Sequence, residues 1–476
     1  MIAFFATLLG IAIPAVNGWL LLGVFEGQKG LLSRTEHWTA GAVMGLTVSM
    51  FVTFCAHTML DMPLSQMGFL TVQAAMFVAL FGLWWFFGPK DATAMHEEEP
   101  LQKPLPRWLS ITLWTLVGWV VVKAVMVGTV FLFMTPTYLD DSLDNWNLRG
   151  KMFYTDQLLL PAVTDSGSIA YMKGVGSYPP AVPLAKAWVA SLAGKWTDGA
   201  ANGIHLFWYF AALILLGCTV RRLAGRGWDL FAVYLLGSMP LYLMHGTNPY
   251  ADAFLSVHVL LAIIFPLRAL REHDPQRRAS LLRIGALCAA ILPFTKNEAL
   301  LLYLPPLILI GGICLAIGIR TKKMTMRDAL TAIAWYAGLL LILALPWLMF
   351  KWSNGLTFGN AKPFSTVDIA WQSGVLISIA VNTFFEGNWL LFFPLLGGLL
   401  IWRRRAAFTR WSPLTAYVLI VCGGQWLIFL FTSLSIEAKM QTGLARGGVQ
   451  ILPSFALLAV LLLADAWPIL QRSFLA

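Results

Sequence analysis

A succession of apolar runs, many of them near twenty residues long and separated by short polar turns, limits what this chain can fold into. A helix rises about 1.5 Å per residue, so about 20 apolar residues cross the hydrocarbon core of a bilayer. Inside that core the backbone must satisfy its own hydrogen bonds. Runs of this kind fall near 2–24, 38–60, 66–88, 108–134, 203–220, 228–244, 251–267, 284–295, 299–318, 328–350, 388–402, 412–433 and 448–467. The pattern predicts an all-α polytopic membrane protein with about 13 transmembrane helices. Two runs, 284–295 and 388–402, are short and have to be tilted, broken or shielded. Composition agrees, because only 12% of the 476 residues are charged, against about 25% in soluble domains. The first run has no basic leader and contains Pro14 and Asn17, so it reads as a retained span rather than a cleaved signal peptide. The five cysteines are scattered in or beside apolar segments without metal spacing and read as small core residues.

The net charge of +10 does not point to nucleic acid, because the basic residues lie in short clusters between spans. These are Arg221, Arg222 and Arg226; Arg268, Arg271, Arg277 and Arg278; Arg320, Lys322, Lys323 and Arg327; and Arg403, Arg404, Arg405 and Arg410. With the spans above, all four fall on one side, which the positive-inside rule makes cytoplasmic. The N-terminus is then outside and the C-terminus inside. The segments 135–202, 245–250, Lys296, 351–387 and 434–447 face outward. A charged, proline-containing linker at 89–107 divides a three-span unit (1–88) from the remainder (108–476). In that unit Glu26, Glu36, His37, His57 and Asp61 lie near span ends and read as solvated caps. Lys123 lies within a span, where an ammonium is costly and calls for a partner, most simply a carboxylate.

Five outward-facing stretches carry chemistry. Residues 138–151 read YLDDSLDNWNLRGK, placing Asp140, Asp141 and Asp144 just ahead of Arg149 and Lys151. Such a loop can take a proton on one group and hold an anion on another, or it can simply be solvated. Tyr178-Pro179-Pro180 opens a run to Gly194, interrupted by Lys186, that reads as an interfacial helix. His245 to Asp252 is a tight polar hairpin that sets a carboxylate on a helix start. Thr295-Lys296-Asn297-Glu298 interrupts two apolar helices, and Arg446 sits at the beginning of the last span. Each alone is readable as an interfacial turn; their shared side argues for one site.

In this order, these residues resemble the GT-C superfamily of membrane glycosyltransferases that use polyprenyl-phosphate sugars. The resemblance rests on the acidic loop Asp141-Ser142-Leu143-Asp144-Asn145-Trp146 with Arg149 and Lys151 behind it, on Tyr178-Pro179-Pro180, on Tyr250-Ala251-Asp252 and on Thr295-Lys296-Asn297-Glu298. It covers roughly residues 108–460. Asp140 stands where relatives have a Trp, Arg149 where they have a Lys, and Ala181 where they have a Leu after the prolines. The first departure leaves the catalytic acid open between Asp140 and Asp141.

The resemblance implies a GT-C-like core with an extracytoplasmic loop bearing interfacial helices, in a bacterial inner membrane. It implies transfer of a sugar from a polyprenyl-phosphate donor to a hydroxyl on a lipid, glycan or secreted protein, with inversion. Asp141 is the expected base, Asp140 the second choice and Asp252 an assisting carboxylate. Lys151, Arg149, Lys296 and Arg446 are the expected donor-phosphate ligands, and Asp144, Trp146, Tyr178 and Glu298 the expected sugar or acceptor contacts. A divalent metal held by Asp141, Asp252 and His245 is a further expectation, although no paired-His ligand spacing is present. The rival readings are a lipid-linked sugar transporter or flippase and a glycan polymerase or ligase. Transporters usually place ionisable groups near the bilayer midplane in two similar halves, which is not the pattern seen.

Overall fold

The computed structural model describes residues 2–90, 106–159, 175–357 and 368–475. Most of the 89–107 linker and part of the 135–202 loop lie outside them. Among the described residues, ten helices are long and apolar enough to cross a membrane. They are Ile2–Glu26, Arg34–Leu60, Gln66–Phe87, Arg107–Met134, Asp198–Ala224, Asp252–Ala269, Ala299–Arg320, Met326–Ser353, Ser412–Phe431 and Gly443–Gln471.

The remaining expected spans are shorter, and two of them are interrupted at prolines. The run 228–244 is two helices, Trp228–Gly237 and Pro240–Gly246, the second starting on a proline whose absent N–H costs nothing at that position. The run 284–295 is the end of Pro275–Ala290 followed by a single 3-10 turn, Leu292–Phe294. The 388–402 run is an 11-residue helix, Phe392–Trp402.

One hydrophobic core runs from Ala6 to Ala464. Residues of the first three helices contribute to it. Gly18 faces Gly41 and Gly45 so closely that a Cβ on Gly18 would lie 1.8 Å from the Gly41 carbonyl oxygen. Small residues permit this backbone approach between membrane helices. Trp188 Nε1 then donates to Gly10 O at 2.9 Å, and Thr7 Oγ1 to Ala200 O at 3.1 Å, tying the first helix to the middle of the chain. The Ala181–Ala193 helix, expected at an interface, is instead enclosed by protein. Its Lys186 is buried and donates to Asn147 and Asn202 Oδ1 at 2.6 Å each.

Contacts gather the basic clusters at one end of the bundle. Glu36 is fully buried and accepts from Arg268 at 2.6 Å and Arg222 at 3.0 Å. Arg271 reaches Arg410 O, Arg403 reaches Asp465 O, and Arg278 approaches Asp328. Glu26, also buried, accepts from the backbone of Leu31 and Leu32 and lies 3.2 Å from His37. Glu26, Glu36 and His37 are therefore not solvated caps but parts of a buried ionic cluster. His57 is buried against Met62 O, and Asp61 alone of the five is an exposed, left-handed cap. Lys123 is exposed and forms no carboxylate pair among the described residues. Asp252 and Arg268 mark opposite ends of one 18-residue helix, about 27 Å long, so the end bearing Asp252 lies across the bundle from the arginine end.

Candidate active site

Asp252 opens its helix directly after the 245–251 hairpin and is completely buried. Lys296 Nζ lies 2.9 Å from Oδ1, Arg446 Nε 3.2 Å from Oδ2, and Gln450 Nε2 2.6 Å from Oδ1. His245 Nδ1 is 3.1 Å from Oδ2, though not aligned for a hydrogen bond. Lys296 is placed by the break between the 3-10 turn Leu292–Phe294 and the wide turn Ala299–Tyr303. Arg446 lies in the first turn of the last helix, and Gln450 follows it on the same face. Gln450 accepts from Tyr303 Oη at 2.8 Å, and Gln425 donates to that hydroxyl at 3.0 Å, so a buried polar chain braces the carboxylate from below.

The same guanidinium reaches outward. Arg446 Nη2 lies 2.5 Å from Asp141 Oδ2, bridging the buried acid to a partly exposed one. It also stands 5.3 Å from the centre of the Tyr250 ring, whose hydroxyl donates to Asp140 at 3.2 Å. Lys296 continues to Glu298 at 3.2 Å and lies 6.0 Å from the rings of Trp146 and Tyr178, which meet edge-on at 5.5 Å. Burial would lower the Lys296 pKa, but the Asp252 and Glu298 carboxylates outweigh it and hold the ammonium above the ordinary lysine value. Burial, reinforced by Glu298, pushes the Tyr178 phenol well up.

The structure thus brings together Asp140, Asp141, Asp252, Lys296, Arg446, Trp146, Tyr178, Glu298 and His245. Two expected residues stand apart, and a third meets the site through a main-chain oxygen. Asp144 and Lys151 are exposed and make no ion pair among the described residues. Arg149 is buried and turned inward, donating to Tyr178 O at 3.0 Å, and burial lowers its pKa to about 9. Two neighbours escaped the sequence reading. Lys351, buried at the end of its helix, donates to Ser177 O at 2.7 Å and Asn297 Oδ1 at 2.9 Å. Gln450 was legible only by its spacing from Arg446.

The expected metal set does not fit this arrangement. Arg446 occupies the space between Asp141 and Asp252, and His245 approaches the same Asp252 oxygen that Arg446 holds. Among the described residues no three His, Cys, Asp or Glu side chains gather at one point.

No family model matches the chain, and no curated protein matches it. The crystal structure of ArnT from Cupriavidus metallidurans in the apo state is similar, with a TM-score of 0.51 and 15% sequence identity. The match covers 74% of this chain and 60% of that one, so this chain spans less than two thirds of its length. The likeness is one of fold: the described residues form an all-α, multi-pass membrane protein whose architecture is like that of this structure.

Proposed function

We propose that the chain is a membrane glycosyltransferase that moves a sugar from a polyprenyl-phosphate donor to an acceptor hydroxyl on the extracytoplasmic side of a bacterial inner membrane. The observation that carries the reading is the Asp252–Arg446–Asp141 bridge, which joins three distant turns into one charged site at the bundle end opposite the arginine clusters. The fold likeness to the ArnT structure supports it, together with the resemblance of the motifs to the GT-C superfamily.

In this reading the roles follow from exposure. Asp252 is saturated with donors and acts as a positioning carboxylate that fixes Lys296 and Arg446. Arg446, 26% exposed at its side chain, keeps N–H donors for the departing phosphate, and a guanidinium can hold it with two parallel bonds. Asp141, 35% exposed, is the base, with Asp140 beside it. The acceptor oxygen gives its proton to Asp141 and bonds to the anomeric carbon. The bond from that carbon to the phosphate oxygen breaks, its electron pair leaves with the phosphate, and the centre inverts. Trp146 and Tyr178 line the sugar side. The lipid tail lies in an apolar groove of about 340 Å³ lined by residues such as Ala262, Leu304, Gly312, Tyr336 and Tyr417. Leu304 follows Tyr303, whose hydroxyl is bonded to Gln450 beneath Asp252, so the groove begins just below the polar cluster.

The test is sugar transfer from a synthetic polyprenyl-phosphate donor by purified protein in liposomes. Asp141→Asn, alone and with Asp140→Asn, is expected to abolish turnover, general-base removal costing about 10²–10⁴-fold. Wild-type turnover in the double variant refutes the assignment, and movement of the intact donor across the bilayer without cleavage supports the flippase reading instead.

A further inference from the structure

At the end of the bundle opposite the proposed active site, the short helix Arg404–Phe408 joins Phe392–Trp402 to Ser412–Phe431. Beside it lies a polar cavity of about 620 Å³ bounded by Trp402, Arg403, Arg404, Arg405, Arg410 and Asp465. That volume falls within the roughly 300–1,000 Å³ of small-ligand sites. Four arginines and one carboxylate line it, and that carboxylate is already engaged. Asp465 Oδ1 pairs with Arg410 at 2.7 Å, Oδ2 accepts from Trp411 Nε1 at 2.7 Å, and the Asp465 main-chain oxygen accepts from Arg403 at 3.0 Å.

The cavity therefore holds a surplus of positive charge. Arg404 and Arg405 are exposed and make no ion pair among the described residues. Arg403 Nε is buried without a hydrogen-bond partner there. The walls are fixed: Arg271 lies 3.7 Å over the Trp411 ring and also donates to Arg410 O, so the loop is anchored to the end of the Asp252–Ala269 helix. Around the mouth Ile401, Trp402 and Phe408 are exposed apolar residues, which sets the cavity at the boundary between hydrocarbon and water.

We propose that this cavity is a binding site for the phosphodiester headgroup of an anionic phospholipid in the leaflet at the arginine end. A row of topogenic arginines needs neither a shared cavity nor a common residue, Asp465, that orients two of them, Arg410 through its carboxylate and Arg403 through its main-chain oxygen. Guanidiniums match phosphate oxygens two at a time, and basic pockets between membrane helices take such headgroups. The flanking Trp402 and Ile401 would lie along the acyl chains, which favours a lipid over a free phosphate. Two unpaired guanidiniums beside a half-satisfied third suit a headgroup with two phosphates better than one with a single phosphate.

The test uses the purified full chain in detergent, with lipid binding read by native mass spectrometry. Cardiolipin is expected to bind most tightly, phosphatidylglycerol next, and phosphatidylcholine weakly. Arg404→Gln/Arg405→Gln is expected to weaken cardiolipin binding by about thirty-fold, each guanidinium near an anionic headgroup being worth roughly a factor of five. Arg404→Lys/Arg405→Lys keeps the charge and is expected to lose only part of that. Equal binding of cardiolipin and phosphatidylcholine to the unmodified protein overturns the proposal without reference to any variant. So does an unchanged affinity in a folded Gln variant, and so does displacement of bound cardiolipin by inorganic pyrophosphate at equal concentration, which would make free phosphate the ligand.

Discussion

The pairing of Lys296 with Asp252 makes a quantitative claim that a double-mutant cycle can test. The two groups are 2.9 Å apart and both are buried. Removing one partner of a buried pair costs about 3–5 kcal/mol, most of it the desolvated charge left behind. Lys296→Met leaves Asp252 with Arg446 and Gln450, which sets the expected loss near the lower limit, about 3 kcal/mol. Lys296 also meets Glu298, but that acid is 28% exposed and its pair adds at most about 1 kcal/mol. Asp252→Asn strands Lys296 in the same pocket and is expected to cost about 3–4 kcal/mol. Once one partner is gone the second loss removes little more, so the double variant is expected to fall short of the sum by at least ~1.5 kcal/mol. Reversible unfolding of the purified protein in mixed micelles measures all four corners of the cycle. Additive losses, within about 0.5 kcal/mol, would show that the two side chains do not act as a unit and would refute the electrostatic core of the site.

Three further outcomes follow from the same geometry. Gly45→Ala places a Cβ 2.1 Å from Pro14 O, where only backbone can give way, and is expected to cost about 1–3 kcal/mol. Gly82→Ala, with nothing within 4 Å, serves as the silent control in the same unfolding assay. The Lys296 pKa is raised on folding, so its contribution is fully present below the unfolded lysine pKa of about 10.4 and is lost as pH rises through the higher folded value. The raised phenols of Tyr178 and Tyr250 act in the same direction, so Lys296→Met should flatten only part of the alkaline limb of a stability–pH profile; an unchanged limb counts against the pairing. Finally, Gly312→Trp fills the open groove and is expected to raise KM for a long-chain donor several-fold while sparing a short-chain analogue; equal effects on both would place the tail elsewhere.

The spans were legible because crossing a bilayer imposes a length and a composition that single residues cannot disguise. The breaks at Pro240 and Pro293 were less so, since a proline within an apolar run kinks one helix or ends it according to what packs nearby. Glu36 shows what sequence withholds: its partners lie 186 and 232 residues away, and nothing local distinguishes it from a solvated cap. Within the site, motif order located the turns but not the division of labour among them. Arg149 and Lys151 were grouped as a basic pair, yet they are two positions apart on the Leu148–Asp156 helix. Helical period sets such residues about 200° apart, so one turns inward and the other to solvent. That periodicity was available in the sequence. The burial of Lys351 was not, because it depends on a carbonyl 174 residues earlier and an amide side chain 54 residues earlier.

Exposure separates the acids more sharply than their chemistry does. Asp252 has four polar partners within 3.2 Å and no accessible surface, so a proton placed on it would have to displace a cation. Such a carboxylate is poorly suited to take part in proton transfer but well suited to keep two cations fixed where charge develops, and donors fixed in advance need no reorganisation as the reaction proceeds. Asp141 touches the same guanidinium from the exposed side. A donor phosphate bound to the remaining N–H groups of Arg446 would share its charge with Asp141 and so weaken that ion pair. In the proposed mechanism the bridge would couple donor binding to the freeing of the base, an ordering that neither acid could provide alone.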